Sequence, residues 1–173
     1  HYLKLSSDLN EPVAQCNLGQ FYSKNVYIKK DLNKAIYYYS LAANQNYSSA
    51  QYDLGLIYYD KKHDLYDINK AIQFFSLAAN QNHVESQYQL GLIYLDGKDI
   101  PCDINKSIYY FTLAANQNHL ESQYKLSLIF YEDLYVSRNI NKAIKYFLLA
   151  TKQNHSEAPN FLGAIYLNDK YVP

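Results

Sequence analysis

The fold is decided by residues 86–121, which read SQYQLGLIYLDGKDIPCDINKSIYYFTLAANQNHLE. The 36 residues before them, 50–85, are identical to this segment at 23 positions and align with it without a gap. Residues 14–49 and 122–157 align in the same register. Self-similarity at a fixed period of this length is the signature of a repeat protein, so the period of 36 organises the whole chain.

Partial units flank the four full repeats, because residues 1–13 fit the tail of one unit and residues 158–173 fit the start of another. We therefore expect residues 1–173 to form a single helical-repeat array. The chain begins at His1 and contains no methionine. On that ground we expect it to be a fragment of a longer chain.

Composition excludes several classes of function. The chain has 173 residues, with 16 basic and 16 acidic side chains and no formal net charge. Balanced charge predicts no nucleic-acid partner. No apolar run reaches the roughly 18 residues of a membrane span, so we expect no membrane insertion. The two cysteines, Cys16 and Cys102, have no second Cys or His at metal-ligand spacing, and we read them as reduced thiols.

Each repeat contains two helices. In residues 50–60, Ala50, Leu54, Ile57 and Tyr58 recur at helical spacing and form one buried stripe. Glycine recurs inside this first helix, where it costs about 1 kcal/mol. That recurrence predicts close approach of another helix; the positions are Gly19, Gly55, Gly91 and Gly163.

The second helix begins after a side chain that can accept hydrogen bonds from free backbone N–H groups. These predicted caps are Asp31, Asp67, Asp103 and Asn139. Its apolar face combines alanines with one aromatic residue, as in Ala71, Phe75, Ala78 and Ala79. It ends at a Gln-Asn pair, and asparagine tolerates the left-handed conformation common at helix ends. We expect positive φ at Asn82 and Asn118.

One such helix pair cannot bury its own apolar faces, so stacked neighbours must supply the core. These repeats resemble the Sel-one-like repeat, a relative of the tetratricopeptide repeat. The matching residues in the third unit are Leu90-Gly91-x-x-Tyr94, Asp96-Gly97, Ile100-Pro101, Asp103, Ile108 and Ala114-Ala115. The resemblance implies an all-α, right-handed superhelical solenoid of antiparallel helix pairs. It also implies protein assembly, with partner peptides or helices held on the inner surface.

A second apolar column on each first helix lies off the buried stripe and is flanked by an acidic residue. The resemblance puts this column on the concave surface, where it would bind a partner. The alternatives are that the tyrosines pack against the next repeat and that the acids are simply solvated. The candidate partner-binding residues are Tyr52, Leu56, Tyr59 and Asp60, then Tyr88, Leu92, Leu95 and Asp96, then Tyr124, Leu128, Tyr131 and Glu132.

The recurring histidines His83, His119 and His155 are candidates for a metal site or for helix caps. Equivalent residues of neighbouring helices lie roughly 10 Å apart, whereas zinc needs ligands within about 2.3 Å. We therefore expect one ring nitrogen to cap the following helix. The sequence contains no nucleophile arrangement and no phosphate-binding glycine loop, so we predict no catalytic residue, no cofactor and no metal.

The function that these features favour is a non-catalytic protein-interaction scaffold or adaptor in the cytoplasm. Three alternatives stay open at this point. The array could regulate an enzyme, such as a kinase, within the same chain, or it could be an adaptor for endoplasmic-reticulum degradation in the lumen. It could also be a purely structural spacer whose second apolar column is covered by other parts of the chain. The partner is a protein, or another domain of the same chain.

Overall fold

The computed structural model describes residues 10–24 and 30–167, and within those ranges it contains nine α-helices and no strand. First and second helices of the repeats alternate along the chain. The helices are α1 (Pro12–Lys24), α2 (Leu32–Asn44), α3 (Ser48–Tyr59), α4 (Ile68–Ala79), α5 (Val84–Asp96), α6 (Ile104–Asn116), α7 (Leu120–Tyr131), α8 (Ile140–Lys152) and α9 (Ala158–Leu167).

The chain divides into two compact units, His1–Ser86 and Gln87–Pro173. In the first unit, α1 packs on α2, α2 on α3, and α3 on α4. In the second unit, α6 packs on α7, α7 on α8, and α8 on α9. Within each unit, these helices pack against their sequence neighbours, as a stacked repeat requires.

The predicted caps of the second helices are confirmed. Asp31 accepts the backbone N–H of Lys34 at 3.0 Å, and Asp103 accepts that of Lys106 at the same distance. These backbone hydrogen bonds favour the ionised carboxylate and lower the pKa of both aspartates. Asp67 and Asn139 cap α4 and α8 in the same way.

The lysine of each cap also lies over an aromatic ring. Lys70 forms an ion pair with Asp67 at 3.6 Å and lies 5.1 Å from the centroid of Tyr58. Tyr58 in turn stacks on Phe74 of α4, with centroids 5.7 Å apart. The same lysine–ring contact recurs at Lys34–Tyr22, Lys106–Tyr94 and Lys142–Phe130. Cap, cation and stacked rings together fix the second helix against the first in every repeat.

Glycine in the first helix allows an aromatic residue of the second helix to reach the backbone. A Cβ added at Gly55 would lie 2.6 Å from a ring atom of Phe75, and one at Gly91 would lie 2.5 Å from Phe111. The predicted close approach is confirmed there. A Cβ at Gly163 would meet nothing within 4 Å. The described residues contain no second helix after α9, so the prediction is not tested at that position.

The interhelical turns use left-handed asparagine, as predicted. Asn82 has φ of 61° and Asn118 has φ of 63°. Asn46 and Asn154 adopt the same conformation, with φ of 60° and 62°. The same left-handed residue therefore follows each second helix from α2 to α8.

Each unit has its own core. In the first unit, the buried stripe of α3 meets α2 through Ala50, Leu54 and Tyr39. In the second unit, Phe111 and Phe147 are fully buried among residues of α7, α8 and α9.

Candidate protein-interaction surface

In the first unit, the predicted column on α3 is half-buried. Tyr52, Leu56 and Tyr59 all keep part of their surface open to solvent. The ring of Tyr52 lies 5.8 Å from Phe75 and 4.9 Å from His83, measured between centroids. The ring of Tyr59 meets Phe75 edge-on at 6.3 Å. One edge of the column therefore packs on the second helix, while the other edge is accessible.

In the second unit, the column on α5 has the same character. The ring of Tyr88 lies 5.8 Å from Phe111 and 4.7 Å from His119. Burial raises the pKa of Tyr88, and the charge of Glu121 adds to that effect. Leu92 and Leu95 pack against the core of this unit and remain half-buried.

Tyr124 on α7 differs, because it is only 8% exposed and belongs to the core. Its ring stacks on His155 with centroids 3.9 Å apart, and its hydroxyl donates a hydrogen bond to Glu157. Burial, followed by Glu157, raises the pKa of Tyr124 to about 12. Its neighbours Leu128 and Tyr131 stay half-buried. At this position the tyrosine holds two helices together.

The acidic residues that follow the first helices have different surroundings. Asp60 accepts the backbone N–H of Lys62 at 3.0 Å and lies 3.4 Å from His63 Nε2. Asp96 is exposed and forms a 2.8 Å ion pair with Lys98. Glu132 is exposed. The second unit therefore presents accessible carboxylates next to its apolar column.

The first repeat carries polar residues at the positions where the later repeats carry the column. They surround Asp53 of α3, which is 6% exposed. Its carboxylate accepts a hydrogen bond from Gln20 at 3.2 Å and lies 3.6 Å from Lys24 Nζ. Cys16 donates to it at 4.0 Å, and burial, followed by the Asp53 charge, raises the pKa of that thiol to about 12. Cys16 is buried and forms no disulfide, in agreement with the prediction of a free thiol.

The recurring histidines cap helices, as predicted. His83 Nδ1 accepts the backbone N–H of Ser86 at 3.3 Å, and His119 Nδ1 accepts that of Ser122 at 3.2 Å. His155 Nδ1 accepts the N–H of Ala158 at 3.3 Å. Within residues 10–24 and 30–167, no cluster of His, Cys, Asp and Glu has the arrangement of a metal site.

A glutamine–glutamine hydrogen bond, not predicted from the sequence, joins the start of each first helix to the end of the following second helix. Gln51 is 1% exposed; it accepts a hydrogen bond from Gln81 at 2.7 Å and donates one to the carbonyl of Ala43 at 3.3 Å. The glutamine–glutamine hydrogen bond recurs as Gln45–Gln15, Gln117–Gln87 and Gln153–Gln123. The signal was available, since glutamine occupies these positions in all four repeats.

Capped helix pairs with glycine–aromatic contacts and left-handed asparagine turns, repeated every 36 residues, define a helical-repeat protein of the solenoid class. The Sel1 repeat model matches residues 12–47, 48–83, 84–119 and 120–155. The chain therefore belongs to the Sel1 repeat family, and the predicted all-α solenoid of helix pairs is confirmed. No curated protein matches the chain.

Solved structures of Sel1 repeat proteins are also similar to the chain. The chain is similar to c5321, a protective antigen of uropathogenic Escherichia coli with an SLR fold, at 29% identity and a TM-score of 0.89. That match covers 97% of this chain but 36% of the antigen, so the chain spans about a third of its length. A Sel1 repeat protein from Oxalobacter formigenes is 28% identical, with a TM-score of 0.81 and coverage of 95% and 67%. Cysteine-rich protein B of Helicobacter pylori is 27% identical, with a TM-score of 0.58 and coverage of 80% and 98%.

No helix in the described part of the chain combines the length and apolar character needed to cross a membrane.

Proposed function

We propose that the chain is a non-catalytic protein-interaction scaffold that binds partner peptides or helices along its first helices. Sel1 repeat proteins are generally protein-interaction scaffolds, which supports the proposal. The observation that carries the proposal is the half-buried apolar column, which lies beside carboxylates in both units. Partner segments can belong to a separate protein or to another part of the same polypeptide.

Half-burial makes these tyrosines suitable anchors. Tyr88 is already held between Phe111 and His119, so a partner that covers its open edge loses little side-chain entropy. A tyrosine also offers a large apolar surface and a hydroxyl. We expect Tyr52 and Tyr59 in the first unit to serve as anchors for the same reasons. Buried Tyr124 would support the surface without contacting the partner.

The flanking charges favour a basic partner. Asp96 and Glu132 are exposed at the ends of α5 and α7. Carboxylates at the rim of a binding surface guide association and select partners more than they add affinity. A partner with Lys or Arg beside an apolar anchor therefore complements this surface.

A displayed library of random peptides, selected on the folded chain, tests the proposal. We expect enrichment of peptides that combine an apolar anchor with a neighbouring Lys or Arg. Glu132→Lys should weaken their binding about tenfold and leave the melting temperature unchanged, because Glu132 is exposed.

Glu11→Lys is the matched control, since Glu11 is exposed and lies before the start of a first helix, away from the acidic ends. It makes the same change in charge and should leave peptide binding unchanged. Equal weakening by both variants would indicate non-specific charge attraction and would contradict the proposal. Failure to select any peptide would contradict it as well.

A further inference from the structure

The first repeat lacks a side chain that two other repeats use to cover the aromatic residue of their second helix. In the second repeat, Tyr59 meets Phe75 edge-on at 6.3 Å, with the ring planes at 71°. In the fourth, Tyr131 meets Phe147 at 6.1 Å and 73°. The first repeat has Ser23 at this position.

A pocket of about 180 Å³ lies beside Ser23, within the first unit. Its walls include the apolar side chains of Leu32, Leu56 and Ile57, together with the ring of Tyr39. A cavity of roughly 150 Å³ lined by apolar side chains can hold benzene. The pocket is therefore large enough for one six-membered ring.

The fourth repeat indicates how a ring is held in such a place. Tyr131 contacts Phe147 and Phe161, and the guanidinium of Arg138 lies 4.7 Å from its centroid. The corresponding residues in the first unit are Tyr39, Asp53 and Lys30, and all three line the pocket. The surroundings of Tyr131 and the pocket beside Ser23 therefore share an aromatic ring on one side and a cationic side chain at the edge.

The difference is Asp53, a buried carboxylate in place of a phenyl ring. A phenol inserted into the pocket can donate a hydrogen bond to it, as Tyr124 donates to Glu157 in the second unit. Lys24 and Lys30 also line the pocket, so their charges oppose entry of a Lys or Arg side chain. Asp53 and Asp60 oppose a free anion in the same way. A neutral ring with a hydroxyl fits this set of groups.

We propose that the pocket beside Ser23 binds a tyrosine side chain of a partner peptide, with the ring against Tyr39 and the hydroxyl donating to Asp53. This inference rests on the proposed scaffold function, for which it supplies one specific anchor. The bound ring would occupy the place that Tyr59 and Tyr131 fill in their own repeats.

The first experiment measures binding of N-acetyl-tyrosinamide and N-acetyl-phenylalaninamide by NMR, following the methyl resonances of Leu32, Leu56 and Ile57. We expect the tyrosine amide to bind about tenfold more tightly, the ratio typical of one hydrogen bond to a charged acceptor. Asp53→Asn should reduce that ratio several-fold. Equal binding of the two amides, or shifts elsewhere only, would overturn the inference.

Ser23→Tyr provides the second test, because it fills the pocket with the chain's own ring. It should raise the melting temperature and abolish binding of the tyrosine amide. Ser23→Ala is the matched control: it removes the 3.1 Å contact with the Tyr39 hydroxyl but leaves the pocket open. Binding should survive in Ser23→Ala, and its loss in both variants would overturn the inference.

The outcomes separate this inference from the proposed function. If the tyrosine amide binds at Ser23 but no peptide is selected on the chain, the result supports the tyrosine-binding pocket and contradicts the scaffold function. If selected peptides bind wild type and Ser23→Tyr equally well, the scaffold function stands and the pocket is overturned.

Discussion

Two contacts between first helices, here called junctions, involve equivalent positions of the repeat, but one junction is polar and the other is aromatic. Between α1 and α3, the polar side chains of Gln20 and Lys24 surround the buried carboxylate of Asp53. Between α7 and α9, Tyr124 and Tyr131 surround the ring of Phe161, with centroid distances of 6.3 and 5.7 Å. Asp53 and Phe161 occupy equivalent positions of the repeat.

The comparison shows which positions of the repeat keep the same residue type and which positions vary. Caps, left-handed asparagine turns and buried glutamines are the same in both units, and they hold each helix pair together. The junction residues vary because a polar cluster and an aromatic cluster both satisfy the packing requirement. Variation there changes what the surface can bind while the fold is kept.

The largest effect is expected where the junction is aromatic. Tyr124→Ala should lower the free energy of unfolding by about 3 kcal/mol, because it removes a buried ring that contacts three others. Cys16→Ala, at the equivalent position in the first repeat, should cost about 1 kcal/mol. Urea denaturation of both variants measures the difference. Equal losses would show that the two junctions do not differ energetically.

A smaller effect should separate the two partners of the polar junction. Asp53→Ala removes a buried carboxylate that accepts a hydrogen bond from Gln20 at 3.2 Å, at a cost of about 1–2 kcal/mol. Lys24→Ala should cost less than about 0.5 kcal/mol, because that side chain is 65% exposed. Thermal unfolding at constant salt tests this order, and a larger loss for Lys24→Ala would refute it.

The smallest effect concerns pH. Burial lowers the pKa of His83, although Glu85 and Asp53 partly oppose the shift. The folded chain therefore binds fewer protons at His83 than the unfolded chain, and stability falls as pH drops below about 6.5. The loss should be under about 1 kcal/mol. His83→Asn keeps a cap acceptor that does not titrate. The stability of this variant should therefore change less between pH 7 and pH 5 than that of the wild-type chain. An identical pH dependence of the two chains would exclude His83 as the cause.

Periodicity predicted most of the fold, because caps, glycines and turn asparagines act locally and recur in register. The burial of Asp53 and Tyr124 could not be predicted in the same way. Each lies where two repeats meet, and its environment depends on a residue about 36 positions away. Tyr52, Tyr88 and Tyr124 look alike in sequence, yet Tyr124 is buried while Tyr52 and Tyr88 are half-buried. Phe161, which contacts Tyr124, distinguishes this position, since Gln89 and Lys125 occupy the equivalent positions of the repeat.

The central claim is that the half-buried column binds a partner, and Tyr88→Ala tests it most directly. Melting temperature and the affinity for a selected peptide are measured on the same sample. We predict a loss of about 1–3 kcal/mol in binding, within the usual range for an anchor residue, with a decrease in melting temperature of no more than about 4 °C. Unchanged binding, together with a decrease in melting temperature as large as that of Tyr124→Ala, would contradict the account and place Tyr88 among the residues that only hold the repeats together.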